Sequence, residues 1–523
     1  MESINQTGDS LPPPLFAVRN ATSFTPSTCL AAVAFCLAIY FVLRLIRPTD
    51  RQAAPWAKSS IPYIGNVLEY GADPVKFLLR QKELLGDVFR VNMVIMTITF
   101  CIGPRWNRWM LYETTEEELS LHKVLPMATC GIIGEQQIHS GWVHHSLKAL
   151  RIGLNRQQQL TGAMRTSTRM ASSAYEEWAE RPSIPLFASA SRLILRAILM
   201  AYFGDRFANA HESELSAMVD GYHKALVNPW SRMLPLWASP SGRMLLRMKA
   251  TLTDLIKTEV EERLAYRDEW READDYLSYL LTANERDGFQ ESMDEYAAHF
   301  GAYVLLAHVN TAGNHAWTLL HLLCNSDQLS SFEAEIAANP PDNGHVYPMK
   351  NMPFGEACLR ETGRLYQNIA SVRYAARDIC GPGGKVIPKG LVAISPLAVQ
   401  QDPDLYENPG KWDPRRFLPA EDGTPSNYLK LVKNAEFVQW GGGANRCPGE
   451  RFVNCLLRGS LWPALLDNYR VEVIDGLVVG EEGVDGVGVK ANHGESLGTP
   501  YGIRDISIKV TKRVVPLSAM TSA

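Results

Sequence analysis

Cys447 is the side chain with the most chemistry to offer. It lies in Phe437-Val438-Gln439-Trp440-Gly441-Gly442-Gly443-Ala444-Asn445-Arg446-Cys447-Pro448-Gly449-Glu450-Arg451-Phe452. Three consecutive glycines let the backbone pass close to a flat object and turn its N–H groups back toward the sulfur. Pro448 suits the first turn of a helix, whose positive end would lower the thiol pKa and favour thiolate. A thiolate presented this way can ligate iron. A lone cysteine in a glycine loop can also be a plain buried apolar residue, and on this loop alone both readings stand.

Two other constellations accompany it. Glu361 and Arg364 are three residues apart, on one helix face where they can pair, either as a surface ion pair or as something more structural. Upstream, Leu306-Ala307-His308-Val309-Asn310-Thr311 precedes Trp317 in a long apolar stretch. A buried mid-helix amide at Asn310 costs stability unless it bonds water, substrate or the helix backbone.

These residues need elements to hold them. The stretch from about Glu291 to Leu323 reads as a helix through the core, within a helical region from about 110 to 370 that includes amphipathic segments such as Thr251 to Arg271. Gly86–Met93 and Thr97–Ile102 are β-branched and aromatic runs that predict a hairpin. Prolines and glycines thicken after 380, and Tyr469 to Val514 reads as short strands and loops. The expected fold class is mainly α with a minor β region, in one large domain over 59–523 without internal repeats.

With 523 residues, 46% hydrophobic and 21% charged, the chain is long and apolar enough to bury a large core, which excludes disorder as its main state. Lys+Arg 52 against Asp+Glu 56 leaves no basic surplus for a phosphate backbone, so no nucleic-acid partner is expected. Nine scattered cysteines with no CxxC pair argue against a disulfide framework or a zinc ribbon. Ala21 to Leu43 carries no charge and as a helix would span roughly 34 Å, enough to cross a bilayer. Arg44, Arg47, Arg51 and Lys58 follow it, which places later residues in the cytosol. The expected layout is a short lumenal tail (1–20), a single transmembrane anchor (21–43) and a basic, proline-rich hinge (44–58). Asn5 and Asn20 are sequons available to a lumenal tail.

The pattern Trp440-Gly441-x-Gly443-x-x-x-Cys447-x-Gly449 resembles the haem-binding loop of the cytochrome P450 family. The resemblance covers about residues 55 to 515 and implies a mainly helical triangular fold, haem b as cofactor and Cys447 as the axial ligand of its iron. Two positions depart from the family: Trp440 replaces the usual phenylalanine, and Asn445 replaces the usual basic residue, with Arg446 displaced by one. Glu361 and Arg364 are similar to the family's ExxR pair, and Trp412-Asp413-Pro414-Arg415-Arg416-Phe417 resembles the segment whose arginine completes that triad, here Arg416. Arg373, nine residues past Arg364, matches the strand arginine that meets a haem propionate; Arg446 is a second cofactor-binding candidate. Trp142, His144, His145 and Lys148 fall where a haem-side helix would, match the family poorly and read as solvated.

The same resemblance puts Asn310 where most members carry a relay threonine and Val309 where they carry an acid. A one-residue shift would make Thr311 the hydroxyl, and the register stays open. Asn310 with Thr311, Trp440 and the Arg364–Arg373 spacing are similar to the branch of sterol 7α- and 12α-hydroxylases and prostacyclin synthase. The implied activity is monooxygenation of a bulky apolar sterol, terpenoid or related secondary metabolite in the endoplasmic reticulum membrane. Electrons would come from a separate NADPH–cytochrome P450 reductase docking near Lys430, Lys433, Arg446 and Arg451. The alternative is a haem-thiolate isomerase or dehydratase needing no reductase. Family substrate segments map to Ile369, Ala370 and Ser371, and to Pro500 and Tyr501 in the 498–501 loop.

Overall fold

The hairpin forms as expected: Val88–Asn92 pairs antiparallel with Thr97–Cys101, Phe89 opposite Phe100. The chain is described by a computed structural model covering residues 54–520 except 60–64, 94–95, 130, 140, 229–234, 271–272, 343–345, 368–369, 421, 476–490, 492–498 and 503. The expected anchor, both sequons and most of the hinge lie outside the described residues.

The hairpin is half of a four-stranded sheet. Gly390–Ile394 adds parallel to Thr97–Cys101, and Ser371–Ala375 adds antiparallel to Gly390–Ile394, with Arg373 opposite Val392. Phe89, Val91, Phe100, Ile102 and Ala393 bury one face of this sheet against Phe77 and Leu78 of the helix Pro74–Leu85. A second sheet pairs Tyr469–Val473 with Ser507–Lys512, and the two-residue strand Ile184–Pro185 adds to the latter. Among the described residues, the other long elements are helices.

The largest hydrophobic cluster surrounds Met293–Cys324, hereafter the core helix. A capping box sets its start: Ser292 Oγ accepts from Glu295 N, and Glu295 Oε2 accepts from Ser292 N. Nearly every residue from Tyr296 to Leu322 is buried, so this helix runs through the core, open only around Leu306 to Asn310. Against it pack Pro240–Ala265 and the helical run Leu186–Val227, broken at Gly204, where φ is 81°. That run is the one described helix long and apolar enough to cross a membrane, but 72% of its most apolar stretch is buried in protein.

Candidate active site

The foundation of the site is Pro353–Tyr366, which carries Glu361 and Arg364, both wholly buried. Arg364 Nε and Nη2 donate to the two oxygens of Glu361 at 2.7 and 2.8 Å. Its remaining N–H groups donate to the carbonyls of Gln400 (2.8 Å), Pro409 (2.7 Å) and Lys411 (3.1 Å). All five guanidinium donors are thus satisfied, which only arginine could achieve here. Glu361 Oε1 also accepts from Asp413 N (2.9 Å) and Arg416 Nε (3.3 Å). The three residues the sequence placed in a triad meet, and together they pin residues 400–416 to the helix.

That pinned segment positions the cysteine loop. Gln400 accepts from Val438 N through Oε1 at 3.0 Å and donates to Arg364 O, while Gln439 Nε2 donates to Leu359 O at 3.2 Å. Gly363 is needed at this contact, because a Cβ there would collide with the Gln439 side chain. Sequence reasoning missed both glutamines, whose partners lie about 40 and 80 residues away.

The loop itself doubles back. Cys447 N donates to Trp440 O at 2.8 Å, and Gly441 and Gly443 take φ of 69° and 59°, a region closed to most side chains. Arg151 Nη2 donates to Ala444 O (2.8 Å) and Asn155 Nδ2 to Pro448 O (3.0 Å), fastening the loop to the helix Trp142–Leu154. The following helix begins at Glu450 with Gly449 as its cap, so Pro448 lies in the preceding turn and not in the first helical turn expected for it.

The thiol corrects another expectation. Burial is the first influence on Cys447 and raises its pKa, while the backbone N–H groups of Gly449 and Glu450 pull it down. Yet Cys447 is exposed. A group both surrounded by protein and open faces an interior space. The core helix has a break in its own burial: Leu306 is 45% exposed and Ala307 and Asn310 are half-buried, in the midst of an otherwise buried helix.

Arg373 is buried, and its one hydrogen bond among the described residues goes to Val372 O at 2.9 Å. Desolvation holds its pKa below the ordinary arginine value, with Glu116 partly opposing. Its other guanidinium N–H groups meet no acceptor among the described residues and are not sealed off, so they open onto space that an anion could fill. Arg446 differs: Glu450 holds it bidentately at 2.7 and 2.8 Å on the half-exposed side of the loop. Trp142, expected to be solvated, is buried with Nε1 donating to Glu291 Oε1 at 2.6 Å, and His145 stacks on Phe289 at 3.5 Å; His144 and Lys148 are exposed as expected.

On the core helix, Thr311 Oγ1 donates to Ala307 O at 2.7 Å, and Asn310 Nδ2 donates to Leu306 O at 3.2 Å. Asn310 Oδ1 accepts from Thr499 N at 3.0 Å. About two to three turns on, an aromatic and hydroxyl clasp that the sequence did not reveal joins this helix to Pro353–Tyr366. Trp317 stacks on Tyr366 at 4.1 Å, His321 Nε2 pairs with Tyr366 OH at 2.7 Å, and Thr362 Oγ1 bonds both Thr318 and Trp412. Ala370, Ser371 and Tyr501 are half-buried and Pro500 is buried; Ile369 lies outside the described residues.

The family model described as Cytochrome P450 matches residues 55–480. The chain belongs to the cytochrome P450 family. It is 26% identical to "Cytochrome P450 monooxygenase pyvB" of Aspergillus violaceofuscus over 96% of this chain and 98% of that one. It is 28% identical to pynD of Aspergillus niger over 77% and 83%, and 26% identical to human lanosterol 14-alpha demethylase over 86% and 88%. In fold it matches retinoic acid bound cyanobacterial CYP120A1, with a TM-score of 0.70 at 19% identity, covering 89% of this chain and all of that one. This cytochrome P450 is therefore an oxidoreductase of mainly helical fold with minor sheet, and its family implies a haem iron. The residues present fit that group: an inward-facing thiol braced by backbone N–H groups, a glycine cradle, and one buried guanidinium whose other N–H groups an anion could meet.

Proposed function

We propose that this cytochrome P450 is a membrane-anchored haem-thiolate monooxygenase that inserts oxygen into a C–H bond of a bulky apolar molecule, using dioxygen and electrons from a separate NADPH reductase. The observation that carries the reading is the inward-facing Cys447 thiol on its glycine loop, founded on the Glu361–Arg364–Arg416 triad. Haem b, when bound, supplies the dioxygen chemistry through its thiolate-ligated iron.

The chain's own residues hold, orient and exclude. Cys447 ligates the iron, and Trp440, Gly441, Gly443 and Gly449 shape the loop around it. Arg373 takes a propionate carboxylate, since Arg446 is already committed to Glu450. Thr311 keeps its oxygen lone pairs after bonding Ala307, and Asn310 keeps one N–H, so both can hold an ordered water that delivers protons in place of the acid missing at Val309. Leu306, Ala307, Ala370, Ser371, Pro500 and Tyr501 form a mostly apolar wall that excludes bulk water and orients substrate. Exposed Lys430, Lys433 and Arg451 give the reductase a basic face. The fungal monooxygenases and sterol demethylases among the relatives support a sterol, terpenoid or related secondary metabolite as substrate, and residues 21–43 would anchor the chain in the endoplasmic reticulum.

The test is incubation with reductase, NADPH and a panel of isoprenoids, read by mass spectrometry. Products that gain oxygen and require NADPH support the reading; isomerised or dehydrated products formed without NADPH would replace it with the oxygen-free alternative.

A further inference from the structure

Asn310, Asn314 and Trp317 lie four and three residues apart on the core helix, and all three bond the same short loop. Asn310 Oδ1 accepts from Thr499 N at 3.0 Å and from Thr499 Oγ1 at 3.4 Å. Asn314 Nδ2 donates to Thr499 Oγ1 at 3.2 Å and to Asn310 O at 2.8 Å. Trp317 Nε1 donates to Pro500 O at 2.7 Å. Between them Gly313 lets the loop lie directly on the helix: a Cβ there would stand 2.6 Å from Thr499 Cγ2 and 2.9 Å from Thr499 O. Thr499 is fully buried by this contact, and Phe187 packs against both Trp317 and Tyr501 at 5.0 and 6.0 Å.

Only an amide at 310 does this work. Its oxygen must face an N–H donor, Thr499 N, and its nitrogen must face a carbonyl, Leu306 O, so the two bonds fix the amide's orientation without ambiguity. A threonine has one oxygen and a shorter reach, and a leucine or alanine has neither bond. Asn310 is also half-buried at the open stretch of the core helix beside Leu306 and Ala307, so the loop it holds borders that opening, which would face the haem held at Cys447.

We infer that Asn310 is a positioning residue that locks the 499–501 loop onto the core helix as a fixed wall of the substrate space, setting the size and orientation of the molecule admitted to the iron. The inference rests on haem being held at Cys447, as proposed above. Gly313 and Thr499 belong to the same lock.

The test uses full-length holoenzyme and two kinds of iron ligand, imidazole and the bulky azoles clotrimazole and ketoconazole, titrated by their spectral shifts. Asn310→Ala and Gly313→Ala, which disturb the loop by unrelated means, should each change azole affinity by about tenfold or more with imidazole affinity nearly unchanged, and the double variant should fall well short of the product of the two effects. Hydrogen exchange over 499–502 should quicken in each. If Asn310→Ala fails to retain haem, Thr499→Val, which removes one hydroxyl, is read in the same way. An unchanged azole-to-imidazole ratio overturns the inference. With raised peroxide release per NADPH, that result would leave Asn310 a proton-delivery residue only. A parent protein that binds no imidazole and holds no haem would refute the haem reading instead, which the same titration reports separately.

Discussion

Glu361→Ala removes the acceptor of two Arg364 donors and of Asp413 N and Arg416 Nε at one stroke. Arg364 would keep its three carbonyl partners but stay a buried cation with no counter-charge, near a second arginine. Removing one partner of such a pair costs about 3–5 kcal/mol, a large part of the roughly 5–15 kcal/mol that holds a domain folded. The loss falls on the segment that Arg364 pins, and Gln400 carries it to Val438 and so to the cysteine loop. Haem retention should therefore fall more than helix content does. The assay is haem per chain from the absorption spectrum, beside the urea midpoint by circular dichroism. Glu361→Gln, which keeps an oxygen for Asp413 N, should lose less on both. Parental haem content and midpoint in Glu361→Ala would refute the reasoning.

Arg373→Met should move two quantities in opposite directions: the haem-free protein gains stability because a desolvated cation is gone, while haem is lost faster on transfer to apomyoglobin. Equal haem loss from variant and parent would remove Arg373 from the site. Burial holds His223, His299, His315 and His321 down to about 3 in the folded chain, against an ordinary value of 6.5. Below pH 6.5 the unfolded chain binds more protons than the folded one, so stability is full above 6.5 and falls as pH drops toward 3. The slope starts at about half of 1.4 kcal/mol per pH unit for each histidine at pH 6.5 and approaches that full value about a unit lower. Urea midpoints at pH 7.5, 6.5 and 5.5 check this, and a flat series would contradict it.

The local elements were legible because their signals are local. The hairpin runs appear within a residue or two of Val88–Asn92 and Thr97–Cys101, and the apolar stretch from Glu291 to Leu323 became Met293–Cys324, its start displaced to the Ser292 cap. The triad was legible through the resemblance of Glu361, Arg364 and the Trp412–Phe417 segment to the family's motifs, while spacing alone suggested no more than a Glu361–Arg364 pair. Long-range closure was not: nothing in Gly390–Ile394 says that it pairs parallel with a strand some 290 residues earlier, or that Gln400 reaches Val438. Trp142 read as solvated because its partner, Glu291, is 149 residues away, and the Asn310 lock is invisible without Thr499, 189 residues on. The Cys447 pKa went the other way because helix-end N–H groups were counted and desolvation by the surrounding fold was not.

The central claim is that the Cys447 sulfur binds the haem iron, and the reduced, carbon monoxide-treated absorption spectrum of purified Cys447→Ser against the parent tests it most directly. The parent should show the red-shifted Soret band of a thiolate-ligated carbonyl haem, and the serine variant should lose that band and all turnover. An identical band and undiminished turnover in Cys447→Ser would contradict the account.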